Sequence, residues 1–376
     1  MRKLQGLFCT LLLLTGVGSP ARAEGEPAPV PLAAEHWEFS PGRVEFLEYQ
    51  ARPALKILPG AGPVVLKAPA FADGTIEFDV ELLDPRFADV YFRWQSADEN
   101  ECFYFRTARA GDPTAGDAVQ YTPTLGGIAI WDLLGHYQTN ATFQKGAWNH
   151  VKLVFAGAQF RAYVNRDDRP TLAVPRLEGN VSQGRVAFEG EQIVTNLVIR
   201  PGVVDDLPAA AGIDPTDVEP RYLRHWQVSP PGVIPKGIDF AYDSLPKPET
   251  SWKPLAAERR GLVNLTRLFG KADARRLVWL KTSLKSASAQ TRRLALGFSD
   301  EVWVLINGKL LYVDKNWYFH PIRKEPEGRC SIENTSFNLP LNAGDNELLI
   351  GVANDFYGWG IVARLDSLAG LSLATP

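Results

Sequence analysis

The sequence predicts an all-β protein made of two β-sandwich domains, and three observations carry that reading. Aromatic residues make up 11% of the chain and it holds 28 prolines and 32 glycines, while long stretches of helical period are scarce. Short alternating or wholly apolar runs recur between turn residues, the pattern of strands in layered sheets. Residues 300–316, DEVWVLINGKLLYVDKN, place Asn307-Gly308 between two apolar runs, a strong short-range signal for a two-residue hairpin. Val302, Val304 and Ile306 alternate there with Trp303 and Leu305, so both faces are apolar and the hairpin belongs inside a sandwich.

The elements follow in chain order. Arg2 and Lys3, an apolar core from Leu7 to Leu14 and the Ala21-Arg22-Ala23 cleavage site read as a signal peptide over 1–23. The product is therefore expected to be secreted or periplasmic. Residues 24–33 form a Pro/Ala tether. Strand-like runs at 64–68, 74–82, 88–96, 101–107, 148–156, 159–165, 184–190 and 195–201 assign 34–201 to a first domain. Residues 202–220, rich in Pro, Ala and Asp without apolar period, read as a linker. The second domain spans 221–376, with strands at 275–286, 292–298, 336–341, 346–355 and 360–365 and a modest amphipathic helix at 262–270.

Several function classes drop out. Without the leader the formal charge is about −6, with no clustered basic surface for nucleic acid or anionic membrane. No later run approaches the roughly 20 apolar residues of a transmembrane helix. Cys102 and Cys330 fall in different domains, which does not favour a disulfide. The five histidines show no paired metal spacing, and no nucleophile elbow, P-loop or C-x-x-C occurs.

The candidate ligand residues come from strand alternation. In VYFRWQ, Tyr91, Arg93 and Gln95 share one face; in ECFYFR, Cys102, Tyr104 and Arg106 do. If these strands neighbour GTIEFDVEL, whose Glu77, Asp79 and Glu81 also align, one sheet face carries many planar hydrogen-bonding groups. Such a surface suits sugar hydroxyls. Gln120 and Trp131, from VQYTPTLGGIAIWD, are expected to close it as a loop, with Tyr121 beside them. The bland reading of the same face is a solvated ladder of cross-strand ion pairs. Trp148 reads as core, and Trp303 and Tyr312 as core residues facing each other across the hairpin. The aromatic loops NWYFH (316–320) and DFYGWG (355–360) offer Trp317 and Trp359 for stacking, or else cap the core or pack on the other domain.

GTIEFDVEL, the YFRW strand, GAWNHVKLVFAGAQFRAYVN and GRVAFEG…NLVIRP resemble the laminin-G-like or concanavalin-type jelly roll over 34–201. The likeness is strongest to the bacterial domain linked with 3-keto-disaccharide hydrolases. LALGFSDEVWVLINGKLLYV and LPLNAGDNELLIGVANDFYGWGIVARL resemble the galactose-binding-like sandwich that accompanies many glycosidases. The resemblance implies an exported, non-catalytic protein that recognises an oligo- or polysaccharide. It requires no cofactor and is compatible with a Ca2+ ion, for which Asp112 and Asp117 are loop candidates. Two alternatives fit the same residues. One is a glycoside hydrolase or 3-keto-glycoside-acting enzyme using Glu77, Asp79 or Arg93; the other is an envelope structural protein with a protein partner.

Overall fold

The computed structural model describes residues 29–83, 85–235 and 241–373; the expected signal peptide over 1–23 lies outside the described residues. It is all-β, with two antiparallel sandwiches in succession. In the first, one sheet runs in the order Trp37–Glu38, Val64–Leu66, Arg185–Glu189, Phe87–Trp94, Asn100–Arg106, Val119–Leu125 and Gln138–Thr139. The facing sheet runs Leu172–Val174, Gln159–Val164, Trp148–Ala156, Gly74–Leu82, Gln192–Pro201, Arg52–Ile57 and Val44–Tyr49. Between them lies a core rich in phenylalanine, where Phe92 stacks on Phe160 at 4.8 Å and Phe78, Phe103, Phe105 and Phe155 are buried. Alternation along each strand sends these rings inward and leaves polar side chains on the outer faces.

The sheet assignment overturns one expectation. Gly74–Leu82 pairs with Trp148–Ala156 and Gln192–Pro201, so Glu77, Asp79 and Glu81 lie in the sheet opposite Tyr91 and Tyr104. No single face carries both sets. Trp148 is half-buried on that second sheet's outer face, donating to Gln50 Oε1 at 2.7 Å, and is not a core residue.

The second sandwich stacks a sheet ordered Lys253–Ala256, His225–Val228, Arg276–Ser286, Gly344–Ala353, Glu301–Ile306 and Lys309–Lys315 on one ordered Leu262–Asn264, Gly360–Leu365, Gln290–Ser299 and Thr335–Leu341. The Asn307-Gly308 turn takes left-handed backbone at both residues, φ 51° and 76°, as a two-residue hairpin needs. Val302, Val304 and Ile306 face the sandwich core, and Trp303 and Leu305 enter a separate apolar cluster on the other face. A register shift after Val304 pairs Trp303 with Val313, so Tyr312 meets Phe337 (4.4 Å, stacked) and not Trp303. The expected helix at 262–270 is a strand, Leu262–Asn264, followed by one short turn, Leu265–Phe269, capped by the Asn264 side chain. No described helix is long and apolar enough to cross a membrane.

The two sandwiches touch through several specific contacts. Residues 202–220 do not hang free: Ala158 N donates to Ala209 O, Gly212 N to Pro175 O, and Arg259 of the second sandwich to the carbonyls of Gly212 and Ile213. Gly126 and Gly270 meet so closely that a Cβ on Gly126 would lie 2.9 Å from Gly270 Cα, with Lys271 N donating to Gly126 O. Arg267 donates to Glu178 O at 2.6 Å. These contacts bring the loops 316–320 and 355–360 against the loop that carries Trp131.

Candidate functional site

Strand register builds the site. Glu189, Asp89, Tyr104 and Gln120 lie opposite one another in four neighbouring strands, and Ala187, Tyr91, Cys102 and Thr122 form the next row. Both rows point away from the core, because their neighbours Phe188, Val90, Phe103 and Tyr121 point into it. A hollow of about 230 Å³ opens over these rows, with Asp89, Tyr91, Glu189, Tyr104, Thr122 and Thr124 on its floor and sides. Trp131 and, from the second sandwich, Tyr357 form its wall, with ring centroids 5.5 Å apart. Phe87 forms the far rim, edge-on to Tyr104 at 5.8 Å.

The floor is braced from its flank. Tyr104 donates its hydroxyl to Gln120 Oε1 at 2.7 Å, and Arg106 donates to the same oxygen at 2.6 Å and to the Tyr104 hydroxyl at 2.8 Å. Gln120 then donates through Nε2 to the Trp131 carbonyl at 2.7 Å, so one side chain ties the floor to the wall. Arg106 is also fixed on Asp117, donating to its carbonyl at 2.6 Å. At the other end Tyr91 donates to Glu189 Oε2 at 2.9 Å. Burial raises the Glu189 carboxyl above its ordinary range, although the Tyr91 hydrogen bond opposes the shift. Burial also pushes the Tyr91, Tyr104 and Cys102 protons well up, so the floor presents neutral phenols and a thiol beside two carboxyl groups.

Of the residues expected from sequence, Tyr91, Tyr104 and Trp131 line the hollow, and Arg106 and Gln120 support it from its flank. Arg93 and Gln95 are corrections. Between Tyr91 and Trp94 the strand carries one residue more than its partner, a bulge. Arg93 occupies it with φ 50°, and the alternation shifts phase there. Trp94, not Arg93, therefore shares the outer face with Tyr91, at 4.9 Å. Arg93 is buried over the Phe155 ring and donates to Ala72 O, Gly157 O and Asp73 Oδ1. Gln95 is exposed and donates to Gln183 O, away from the hollow.

The Glu77 and Asp79 face is a ladder of ion pairs. Glu77 takes Arg200 and His150, and Asp79 takes His150 at 2.9 Å, Arg52 at 3.5 Å and the Asn196 amide at 2.7 Å. Of the loop aromatics, Trp359 is core and Trp317 donates to Glu301 Oε1. Tyr318, Phe356 and Tyr357 are the ones that reach Trp131. Asp89, Glu189 and Tyr357 escaped the sequence reading. The signal for Asp89 was its place two residues before Tyr91, and Tyr357 lay within the aromatic DFYGWG loop although Trp359 was the residue expected there; nothing local marked Glu189.

Among the described residues no group of three or more His, Cys, Asp and Glu side chains gathers as a metal site. Asp117 pairs with Arg109 and Asp112 accepts from Thr114 within its own turn. Cys102 and Cys330 are both free thiols. A larger cleft of about 700 Å³ lies on the second sandwich, among His225, Gln227, Lys281, Ser283 and Glu347. Its one tryptophan, Trp226, is buried and gives the cleft no aromatic platform, so the smaller hollow has the better chemistry for a ring-shaped polar ligand.

No family model matches this chain, and no curated protein sequence does. Solved structures align with parts of it. The carbohydrate binding module CBM66 from Bacillus subtilis aligns at 14% identity over 44% of this chain and 92% of its own, with a TM-score of 0.30. The Bacillus licheniformis beta-glucanase aligns at 9% identity over 47% and 99%, with a TM-score of 0.32. A family 35 carbohydrate binding module from an environmental isolate aligns at 18% identity over 26% and 71%, with a TM-score of 0.20. Likeness at this level carries nothing about ligand or activity.

Proposed function

We propose that this chain is an exported carbohydrate-binding protein, secreted or periplasmic, that holds a sugar ring in the hollow between Trp131 and the Asp89–Glu189 floor. The observation that carries the reading is the pairing of an aromatic wall with a floor of fixed, neutral and anionic hydrogen-bonding groups. Sugar hydroxyls need donors and acceptors at set positions, and the C–H faces of the ring need a flat apolar partner. Trp131 and Tyr357 provide the second, and Tyr91, Tyr104, Asp89, Glu189 and Thr122 the first. At about 230 Å³ the hollow lies below the roughly 300–1,000 Å³ of drug-sized pockets, which suits one or two rings of a longer chain. The partner is thus an oligo- or polysaccharide reached through an end or a side branch. A Ca2+ ion, if bound, would act away from this floor, where Glu189 already accepts from Tyr91.

The test is a titration of the mature protein against a panel of immobilised and soluble glycans. Saturable binding that Trp131→Ala abolishes supports the reading; a full panel without binding overturns it.

One observation favours a second reading. Asp89 and Glu189 are direct cross-strand neighbours, so two carboxyl groups stand side by side on this floor. Retaining glycosidases hold two carboxyl groups about 5–5.5 Å apart, one of them protonated. Sugar released in the binding tubes, and lost in Glu189→Gln without loss of binding, would make this floor catalytic.

A further inference from the structure

Directly behind the aromatic wall lies a group that neither strand pairing nor core packing requires. Asp132 follows Trp131 in the chain and is buried, as are Ser299 and Asp300 of the second sandwich. Ser299 Oγ lies 3.1 Å from Asp132 Oδ2 and 3.0 Å from Asp300 Oδ1. The outer carboxyl oxygens face the loop that carries Tyr357. Asp300 Oδ2 accepts from the backbone N–H groups of Asp355 and Phe356, and Asp132 Oδ1 accepts from Gly358 N at 3.0 Å. Three backbone amides of the wall loop, at 355, 356 and 358, thus end on two carboxyl groups, one from each sandwich.

Counting protons shows what this needs. A serine hydroxyl has one hydrogen and can donate to one carboxylate only. With both carboxyls ionised, one oxygen would face the serine lone pair and a second buried negative charge. With one proton added, the chain closes: Asp300 Oδ1–H donates to Ser299 Oγ, and Ser299 Oγ–H donates to Asp132 Oδ2. The charged and titratable neighbours fit a single remaining negative charge. Arg329, buried over the Trp131 ring at 5.5 Å, is the nearby cation and also holds Glu327. Cys330 donates its N–H to the Asp132 carbonyl, and burial with both carboxyls beside it keeps its thiol neutral. Tyr357 stays a neutral phenol, held up by burial and by the charges of Asp132 and Asp89. Asp355 lies on the loop itself, and Glu301, next in the chain, is taken by Arg275 and Lys315.

We propose that Asp132, Ser299 and Asp300 are positioning residues that share one proton and, by it, hold the Trp131–Tyr357 wall of the sugar hollow together across the two sandwiches. The proposal rests on the sugar-binding reading for its purpose but not for its test. Burial pushes both carboxyls up, Asp132 to about 7 and Asp300, with repulsion from Asp132 added, well above its ordinary value. The closed wall therefore binds more protons than an open one. Closure is strongest below about pH 4, the ordinary aspartate value, and weakens as pH rises through the closed-state values.

The experiment is amide hydrogen exchange of the mature protein between pH 5 and 9, corrected for intrinsic rates, read at residues 355, 356 and 358. In the wild type the protection of the three amides falls together by about tenfold or more as pH rises. Asp300→Asn supplies the donated N–H permanently, so its protection stays high and the profile is flat. Asp132→Asn does the same from the other side and serves if the first variant folds poorly. Protection in the wild type that is independent of pH, or an Asp300→Asn variant that keeps the wild-type profile, overturns the proposal. Exchange is read without ligand: a failed glycan panel with the expected exchange removes the binding reading and leaves the triad standing.

Discussion

The first sandwich presents carboxylates on both of its outer faces, and the two faces differ in what surrounds them. On the Gly74–Leu82 sheet Glu77 and Asp79 are spanned by Arg200, Arg52 and His150. On the opposite sheet Asp89 and Glu189 lie side by side under a hollow, with tyrosines as neighbours and an aromatic wall supplied in part by the other sandwich. Alternation in sequence makes the two look alike. What separates them is the neighbour across the strand: His150 stands opposite Asp79 on one face, whereas a second carboxyl group stands opposite Asp89 on the other, with a phenol donating to it.

The largest expected effect that would sharpen this contrast is on the wall. Trp131→Ala and Tyr357→Ala should each weaken glycan binding by about 2 kcal/mol or more, as aromatic anchors covered by a bound partner do, while circular dichroism stays native. Next, Asp89→Asn or Glu189→Gln should cost about 1.5–3 kcal/mol of binding, the range for hydrogen bonds to charged groups, read by the same titration. Arg93→Ala separates site from scaffold. It strands the Ala72 and Gly157 carbonyls and should lower stability by about 1–3 kcal/mol in urea denaturation, with binding by the folded fraction unchanged. The smallest effect belongs to the ion-paired face. Glu77→Gln should change stability by about 0–1 kcal/mol and leave glycan affinity untouched; a drop in affinity there would break the comparison.

A further carboxyl group, Glu101, is buried between the two faces and gives a pH test of its own. Burial raises it to about 8, against the hydrogen bond donated by Tyr121 at 2.6 Å. Its folded value exceeds the unfolded one, so its stabilisation is complete below about pH 4.3 and is lost as pH rises through 8. Thermal melts of Glu101→Gln should show a flatter decline than the wild type between pH 5 and 8.

Much of the strand content was legible because period and turn chemistry are local. The 300–316 hairpin, Gly74–Leu82 and Trp148–Ala156 all lie where alternation puts them. The pairing of strands was not legible, because Gly74–Leu82 takes neighbours from more than 60 residues away and skips the five strands that follow it in the chain. The site was half legible for the same reason. Tyr91, Tyr104 and Trp131 follow from alternation and loop position, but one bulge residue removed Arg93 and Gln95 from the face. Glu189 joins Asp89 across 100 positions of sequence, and Tyr357 arrives from another sandwich. Only register and docking reveal such neighbours.

The measurement that bears most directly on the central claim is a parallel glycan titration of the wild type, Trp131→Ala, Tyr357→Ala and Glu77→Gln. The account predicts saturable binding by the wild type and Glu77→Gln, with both wall variants weakened at least tenfold. Equal binding by all four proteins, or loss confined to Glu77→Gln, would contradict it.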